Sequence, residues 1–181
     1  MKKNLRYLIF LLFLFFNTNI LFSNEIKNIE IKGNQRIDEE TIFTYLNLSK
    51  EKEIKEEDLN VLFKDLFATD LFSEIIFKIT DKTLFIEVDE NPIVNRIALE
   101  GNKYLKDDEL LPEIFLKPRD VFTKNKIKEN LQRILAMYRA GGRYAAVVEP
   151  KIIYLEQNRV DVVFEINEGP ISKIQSIKFL G

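Results

Sequence analysis

The sequence predicts an α+β fold made of two tandem modules, each with the element order strand, helix, helix, strand, strand. The first observation is an internal repeat: "IEIKGNQRI" begins at Ile29, and "IALEGNKYL" begins at Ile97. The two Gly-Asn pairs lie 68 residues apart, at Gly33 and Gly101, and the residues after them stay in step. The second observation is the apolar pattern, which changes from strand-like alternation to helical spacing and back within each repeat. Neither a helix pair nor a small sheet is stable alone, so each is predicted to cover the other's apolar face.

Each repeat opens with a strand that ends at the Gly-Asn pair. Ile29 and Ile31 alternate with charged residues, and Ile97 and Leu99 alternate with their neighbours in the same way. Glycine and asparagine both tolerate positive φ, so the pairs predict turns. The residues of these predicted turns are Gly33, Asn34, Gly101 and Asn102.

A short helix is predicted after each of these turns. Asp38 is predicted to cap the first helix, and Asp107 or Asp108 the second. Pro112 follows the second cap by four or five residues, so it should shorten or distort that helix. The residues predicted to face the core are Ile42, Tyr45, Leu46, Leu110, Leu111 and Ile114.

A longer helix is predicted next in each repeat. The acidic residues 56–58 favour the first helix N-terminus, Thr123 can cap the second, and Gly141-Gly142 supplies a left-handed stop. The apolar residues at helical spacing are Leu59, Leu62, Phe63 and Leu66 in the first repeat, and Ile127, Leu131, Ile134, Leu135 and Tyr138 in the second.

Each repeat closes with two alternating strands joined by a short turn, at Asp81-Lys82 and at Gln157-Asn158. A connection this short makes each pair an antiparallel hairpin. The core-facing residues are predicted to be Ile75, Phe77, Ile79, Leu84, Ile86 and Val88 in the first repeat, and Tyr144, Ala146, Val148, Ile152, Val160, Val162, Phe164 and Ile166 in the second.

Matching tags, "DENPI" from Asp89 and "NEGPI" from Asn167, mark the ends of the two repeats, because proline cannot extend a strand ladder. "IKFLG" from Ile177 begins the repeated phrase a third time. We therefore expect a signal peptide at residues 1–23, a first domain at 24–91, a second at 92–169, and the truncated start of a third at 170–181.

The N-terminus has the pattern of a secretory signal peptide. A basic start precedes an apolar run from Leu8 to Phe16, and the polar residues 17–19 follow it. The run is far shorter than the roughly 20 residues that span a bilayer. We expect cleavage after Ser23 and export of the protein.

Composition excludes several classes of function. Residues 1–23 hold three basic residues and no acid, so the remainder carries −5, three below the −2 of the whole chain, which argues against nucleic acid as a partner. The chain has no cysteine and no histidine, which removes thiol and imidazole catalysis and the usual zinc ligands. Acidic groups such as Asp107-Asp108 stand at predicted helix N-termini, where the helix dipole favours negative charge, so they do not indicate carboxylate catalysis. We expect no enzyme activity, no cofactor and no metal site.

With the repeat laid out, the chain after residue 23 resembles the POTRA family. The matching stretches, besides the Gly-Asn turns, are "LFATDLFSEI" from Leu66, "GGRYAAVV" from Gly141 and "NRVDVVFEINEG" from Asn158. The resemblance implies modules in which a three-stranded mixed sheet is covered by two antiparallel helices. It also implies a place at the periplasmic face of the outer membrane, in an outer-membrane protein assembly factor. The implied partners are unfolded outer-membrane β-barrel proteins, accessory lipoproteins, and the outer membrane through a C-terminal barrel beyond Gly181.

The resemblance further implies that the second strand of each module, Phe72–Thr80 and Tyr144–Leu155, lies at a sheet edge. Unpaired backbone groups there can accept an extended peptide as an added strand. Pro150 agrees with an edge position and removes one donor, so Phe72–Thr80 is predicted to be the more competent edge, unless Pro150 only blocks unwanted sheet growth. Ile76 and Phe85 are predicted to face outward. The predicted partner-binding residues are Phe72, Ser73, Glu74, Ile75, Ile76, Phe77, Lys78, Ile79, Thr80, Ala145, Val147, Glu149 and Lys151.

Two other functions remain open at this point. POTRA-like modules also occur in two-partner secretion transporters and in the translocation-and-assembly module. A third possibility is a purely structural periplasmic spacer, which predicts no peptide binding.

Overall fold

The computed structural model describes residues 26–48, 54–173, 176 and 178, and it confirms the predicted α+β class with two modules. The signal peptide predicted at 1–23 and the strand predicted to begin at Ile177 lie outside the described residues. None of the helices within those ranges is long and apolar enough to cross a membrane.

The first module contains a three-stranded mixed sheet and two α-helices. Its strands stand in the order β1-β3-β2, with β1 parallel to β3 and β2 antiparallel to β3. In chain order the elements are β1 (Asn28–Lys32), α1 (Glu39–Tyr45), a 3₁₀ turn (Glu56–Asp58), α2 (Leu59–Phe67), β2 (Phe72–Thr80) and β3 (Thr83–Glu90).

The second module repeats this plan. Its strands stand in the order β4-β6-β5, with β4 parallel to β6 and β5 antiparallel to β6. In chain order the elements are β4 (Ile93–Glu100), α3 (Asp107–Leu110), a 3₁₀ turn (Leu111–Glu113), α4 (Lys124–Ala140), β5 (Val147–Leu155) and β6 (Arg159–Asn167).

Each module has its own apolar core between helices and sheet. In the first module Ile42, Leu66 and Leu84 are fully buried. In the second module Tyr138 and Phe164 are fully buried at the centre of the core. Burial of such side chains contributes about 1.5–3 kcal/mol each, which is what holds these small sheets under their helices.

Several predicted helix ends are confirmed. The Asp38 side chain accepts a hydrogen bond from the Thr41 N–H, and that of Thr123 accepts one from Lys126. Gly142 has a φ of 74° just after α4, as a left-handed stop requires. Helix α3 has only four residues and continues as a 3₁₀ turn that contains Pro112, the predicted shortening.

The prediction that Asp107 or Asp108 caps α3 is wrong, because the capping position is Lys106. The Asp107 carboxylate instead accepts a hydrogen bond from the Asn102 side chain, at 2.7 Å. The Lys106 N–H is satisfied by the Glu109 carboxylate, 2.9 Å away. Asp107 and Asp108 therefore lie in the first turn of α3 and not at the capping position before it.

Two residues predicted to face the core of the short helices are exposed. Tyr45 closes the last turn of α1, where Ile42 and Leu46 already cover the sheet. Leu111 begins the 3₁₀ turn of Pro112, and the tighter winding turns its side chain outward. Each short helix thus buries a narrower apolar stripe than the sequence predicts.

The strand predicted at Tyr144–Leu155 begins only at Val147, and Ala145 is not part of it. The chain must first reverse after α4, and it does so through a turn in which the Ala146 N–H donates to the Arg143 carbonyl at 3.2 Å. Tyr144 and Ala145 lie inside that turn, and both are exposed. Placing them in the edge strand was therefore wrong.

Candidate functional site

Strand β2 forms an open edge of the first sheet. Among the residues that the structure describes, it pairs with β3 and with no other strand, as predicted. The opposite edge of the sheet is partly covered, because the Ile26 N–H donates to the Ile54 carbonyl at 3.1 Å just before β1. Within the described residues, the longer free margin of the first module therefore belongs to β2, which has nine residues against five in β1.

The hairpin turn decides which backbone groups of β2 face the open side. Asp81 and Lys82 have φ values of 49° and 64°, which is a type I′ turn, so the flanking residues Thr80 and Thr83 exchange backbone hydrogen bonds. Exchange then recurs at every second residue along an antiparallel pair. The N–H and C=O groups that point away from β3 are those of Ile75, Phe77 and Ile79.

An aromatic surface lines this open margin on the helix side. The rings of Phe63 and Phe67 stack on α2 with centroids 5.7 Å apart, and Phe63 meets Phe77 of β2 edge-on at 6.3 Å. Phe67 is 54% exposed and Phe63 39%. We call Phe63, Phe67 and Phe77 the aromatic shelf; it lies where the side chains of an added strand would meet the helix layer.

The edge of the second sheet has the same position but different chemistry. Strand β5 pairs with β6 alone in the described part of the chain, and Pro150 stands opposite Phe164. The two sheets superimpose through their glycine turns, because Gly33 abuts the Val88 carbonyl and Gly101 the Ile166 carbonyl. Val88 pairs with Ile75, and Ile166 pairs with Val148. Two residues further along each edge strand, Pro150 is therefore equivalent to Phe77.

The shelf has no aromatic counterpart in the second module. The buried helix pair Leu62 and Leu66 corresponds to Ile134 and Tyr138, four residues apart in both helices. The positions of Phe63 and Phe67 are therefore taken by Leu135, which is half-buried, and by Arg139, which is exposed. Only the first module combines a proline-free edge with an apolar lining.

Ile76 and Phe85 lie on the outward face of the first sheet, as predicted. Ile76 is 45% exposed, and Phe85 is half-buried beneath the Lys32 ammonium, which lies 4.9 Å from the ring centroid. The rest of this face is mainly charged, so Ile76 is an isolated apolar contact point.

The two Gly-Asn turns hold the start of each module against its last strand. Both glycines have positive φ, 87° at Gly33 and 86° at Gly101, as predicted. The asparagines act through their side chains, since Asn34 donates to the Ile37 carbonyl and Asn102 to the Leu105 carbonyl, at 2.9 and 3.1 Å. The turns thus need both residues, for different reasons.

A glutamate at the end of each sheet receives the loop that follows the Gly-Asn pair. One carboxylate oxygen of Glu90 accepts hydrogen bonds from the backbone N–H groups of Gln35, Arg36 and Ile37, at 2.7–2.9 Å. Its other oxygen lies 3.3 Å from the Arg36 guanidinium, and the residue is 4% exposed. Three successive N–H groups around one anion form a nest, a favourable anion site.

Glu168 does the same in the second module, and we call both arrangements the carboxylate clasp. Its Oε1 accepts from the backbone N–H groups of Lys103 and Tyr104 at 2.6 Å and from the Tyr138 hydroxyl at 3.1 Å. Burial alone would raise the pKa of Glu168, but these hydrogen bonds and the Arg143 charge hold it below its ordinary value. Burial, together with the hydrogen bond to Glu168, raises the pKa of Tyr138 well above its ordinary value.

Sequence reasoning missed the clasp. A signal was present, because Glu90 stands two residues before Pro92 and Glu168 two before Pro170, inside the repeated tags. The tag pattern predicts only that the prolines end the strand ladders, and it assigns no role to the glutamates.

The clasp predicts an acid-sensitive second module. Because the folded pKa of Glu168 is lowered, its stabilising charge is fully present above the ordinary pKa of about 4.3 and is lost as pH falls through the folded value. We expect Glu168→Gln to lower the free energy of unfolding at pH 7, with the difference from wild type shrinking below about pH 4. Urea denaturation followed at β6 amide resonances measures this.

Glu165→Gln is the matched control for that measurement, because Glu165 lies on the same strand and is exposed, with a single ion pair to Lys151 at 3.5 Å. Exposed pairs of this kind contribute little. An equal effect of the two substitutions at every pH would show that the Glu168 hydrogen bonds do not stabilise the charged form.

The structure brings the residues predicted for partner binding into two separate groups. All nine residues from Phe72 to Thr80 form β2, and Val147, Glu149 and Lys151 lie together on β5. Ala145 lies outside the strand, as described above. Because the two edges belong to different sheets, they do not form one continuous binding strip.

Residues 92–169 match the family model described as "POTRA: Surface antigen variable number repeat". The first module has the same element order and the same sheet topology. The match to the POTRA model thus covers the second module, and the first module shares its architecture.

Two proteins similar to this chain carry the name of an outer membrane protein assembly factor. The chain is 26% identical over 171 residues to "Outer membrane protein assembly factor BamA" of Neorickettsia risticii, a match to 94% of this chain and 23% of that protein. It is 27% identical over 159 residues to the protein of the same name from Neisseria meningitidis, with 86% and 20% covered. The chain thus spans less than a quarter of the length of these relatives.

The fold has a counterpart among solved structures. The N-terminal domain of Omp85 from Thermosynechococcus elongatus superimposes with a TM-score of 0.54 at 15% identity, over 80% of this chain and 62% of that one. At this identity the likeness concerns the fold.

Proposed function

We propose that this chain is the periplasmic POTRA region of an outer-membrane β-barrel assembly factor, and that it binds unfolded outer-membrane protein strands by adding them to β2. The named relatives support the first part of the proposal. In this role the chain binds and hands over its clients without catalysing a reaction. Accessory lipoproteins and a membrane-embedded barrel complete the proposed setting.

The observation that carries strand addition is the free margin of β2. Three of its residues, Ile75, Phe77 and Ile79, turn both their N–H and C=O groups to the open side, at every second position. An extended peptide presents its own groups at that same spacing, so it can pair with all of them. Backbone pairing is nearly independent of sequence, which suits a factor with many different clients.

The aromatic shelf adds a preference to this pairing. Side chains of a strand added beside β2 alternate between the outward face and the helix face. Those on the helix face meet Phe63 and Phe67, whose exposed rings favour large apolar partners. Strands of membrane barrels alternate apolar and polar residues, and this is the pattern that such a site accepts.

The second module is proposed to be the weaker binder. Pro150 offers no N–H to a guest strand, and proline in a sheet is placed with its donor side toward solvent. Arg139 stands where the shelf has Phe67. The loss of a donor and of the apolar lining both act against binding at β5.

The test is titration of the chain with a nine-residue peptide taken from a membrane strand of a bacterial outer-membrane barrel, followed by amide chemical shifts. We expect the largest shifts at Ile75, Phe77 and Ile79. Phe67→Ser should raise the dissociation constant of the peptide about tenfold. This is the equivalent of losing roughly 1.4 kcal/mol of aromatic contact.

Val61→Ser is the matched control, because Val61 is 57% exposed on the same helix and faces away from β2. A peptide of the same composition with its apolar residues grouped together should bind more weakly than the alternating one. Shifts confined to the second module would refute the assignment of the edge, and the absence of any shift would favour a purely structural spacer.

A further inference from the structure

Strand β2 carries two charged side chains of opposite sign on the outward face of its sheet. Glu74 and Lys78 stand four residues apart, and both are exposed, with Ile76 between them. Because side chains alternate between the two faces of a strand, all three point away from the aromatic shelf. A strand added to β2 therefore places its own side chains beside these three residues on the outward face.

Both charges lack an ionic partner within the part of the chain that the structure describes. Glu74 stands directly opposite Asp89 in the sheet, and like charges in that arrangement destabilise a strand pair. The Ser73 hydroxyl lies 3.0 Å from the Asp89 carboxylate, so the local hydrogen-bond donor serves Asp89 and not Glu74. Lys78 stands opposite Phe85, which offers it no acid. A client strand can therefore supply the counter-charge at both positions.

The edge of the second sheet does not offer this pair of charges. The equivalence of β2 and β5 places Val147 at the position of Glu74. It places Lys151 at the position of Lys78, and the Lys151 ammonium lies 3.5 Å from the Glu165 carboxylate of its own sheet. On β5 the acid is thus replaced by an apolar residue, and the base already has a partner.

We propose that Glu74 and Lys78 set the direction in which a client strand is added to β2. The favoured client runs antiparallel to β2, with an acidic residue beside Lys78 and a basic residue beside Glu74. Opposite charges side by side stabilise a strand pair, and antiparallel pairing is slightly more stable per residue than parallel pairing. This inference rests on the strand addition proposed above, and it specifies which client strands fit that edge.

The order of charges in the client then decides its direction. An antiparallel client meets Lys78 before Glu74, so it carries its acid first and its base four residues later, counted from its own N-terminus. A client with the base first can match both charges only by running parallel to β2. In either direction the residues between the charges alternate, and those on the helix face meet the aromatic shelf.

Two peptides of identical composition, each as long as the nine residues of β2, test this proposal. Both present apolar residues to the aromatic shelf, and they differ only in that one aspartate and one lysine, four residues apart, are exchanged. A nitroxide at the N-terminus of each peptide broadens the amide resonances near which it lies. We expect the acid-first peptide to broaden Thr80 and to bind about threefold more tightly, and the base-first peptide to broaden Ser73.

Glu74→Lys combined with Lys78→Glu should make the two peptides exchange both direction and rank of affinity. The matched control is Glu30→Lys combined with Lys32→Glu, which reverses two charges on the same face of β1, where the side chains are 55% and 58% exposed. It should change neither property. About 1 M salt should remove the difference in affinity, because the screening length then falls to about 3 Å.

The outcomes separate this proposal from strand addition itself. If both peptides bind with equal affinity and in one direction, strand addition stands and the role of Glu74 and Lys78 is overturned. A direction that stays the same in the doubly reversed variant would overturn that role as well. If neither peptide binds, strand addition and this inference fail together.

Discussion

Gly101→Ala is expected to unfold much of the second module, with a loss of about 3 kcal/mol in the free energy of unfolding. Gly101 has a φ of 86°, where alanine is strained by about 1–2 kcal/mol, and a Cβ would lie 2.1 Å from the Ile166 carbonyl oxygen. That oxygen belongs to β6, the central strand of the sheet, so it cannot move without disturbing the pairing on both sides. Hydrogen exchange of the Val162 and Phe164 amides measures the loss.

Gly142→Ala separates the two causes. Gly142 also has a positive φ, 74°, but nothing lies within 4 Å of the position of its Cβ. It should therefore cost only the backbone strain, about 1 kcal/mol. If both variants lost the same stability, the close approach of Gly101 to Ile166 would not constrain the fold.

The repeat made the elements of this fold predictable. Alternation fixed the hairpin strands, and the short turns at Asp81-Lys82 and Gln157-Asn158 fixed their antiparallel pairing, because both patterns depend on local geometry. The cap at Asp38 and the glycine stop after α4 are equally local. Each of these features depends on a few consecutive residues.

Predictions failed where a competing local contact, or a contact distant in sequence, decides the outcome. Ala145 satisfies an alternation pattern, yet the reversal after α4 uses the residues before Val147. Asp107 is a good capping residue, but the side chain of Asn102 engages it instead. The clasp of Glu90 joins residues 53 to 55 positions apart in the sequence, so no window along the chain reveals it.

The candidate site also has one part that the sequence predicts, the edge strand, and one part that it does not, the aromatic shelf. An edge position for Phe72–Thr80 followed from the resemblance, and the sheet order agrees with it. The aromatic shelf did not follow, because helical spacing places Phe63 on the core side of α2 while the structure leaves its ring 39% exposed beside Phe77. Partial exposure of an aromatic ring depends on how far the helix overhangs the sheet, which the sequence pattern does not encode.

Glu90→Ala is expected to destabilise the first module by about 3 kcal/mol, because removing a buried charged acceptor leaves its donors unsatisfied. The donors are the N–H groups of the loop from Gln35 to Ile37, and the Arg36 guanidinium also loses its partner. Since this loop connects the Gly-Asn turn to α1, its release should also loosen the helix layer beside the sheet. Hydrogen exchange of the Leu84 and Ile86 amides reports the change.

Glu90→Gln is expected to retain part of the stability, since its amide oxygen still accepts hydrogen bonds but carries no charge, and hydrogen bonds to charged groups are about twice as strong as neutral ones. Glu87→Ala, at an exposed position on the same strand, should change stability by no more than about 0.5 kcal/mol. Amides of β6 serve as an internal reference, because the second module has its own core. Equal effects of Glu90→Ala and Glu87→Ala would mean that solvent satisfies the loop donors and that the clasp does not hold the module together.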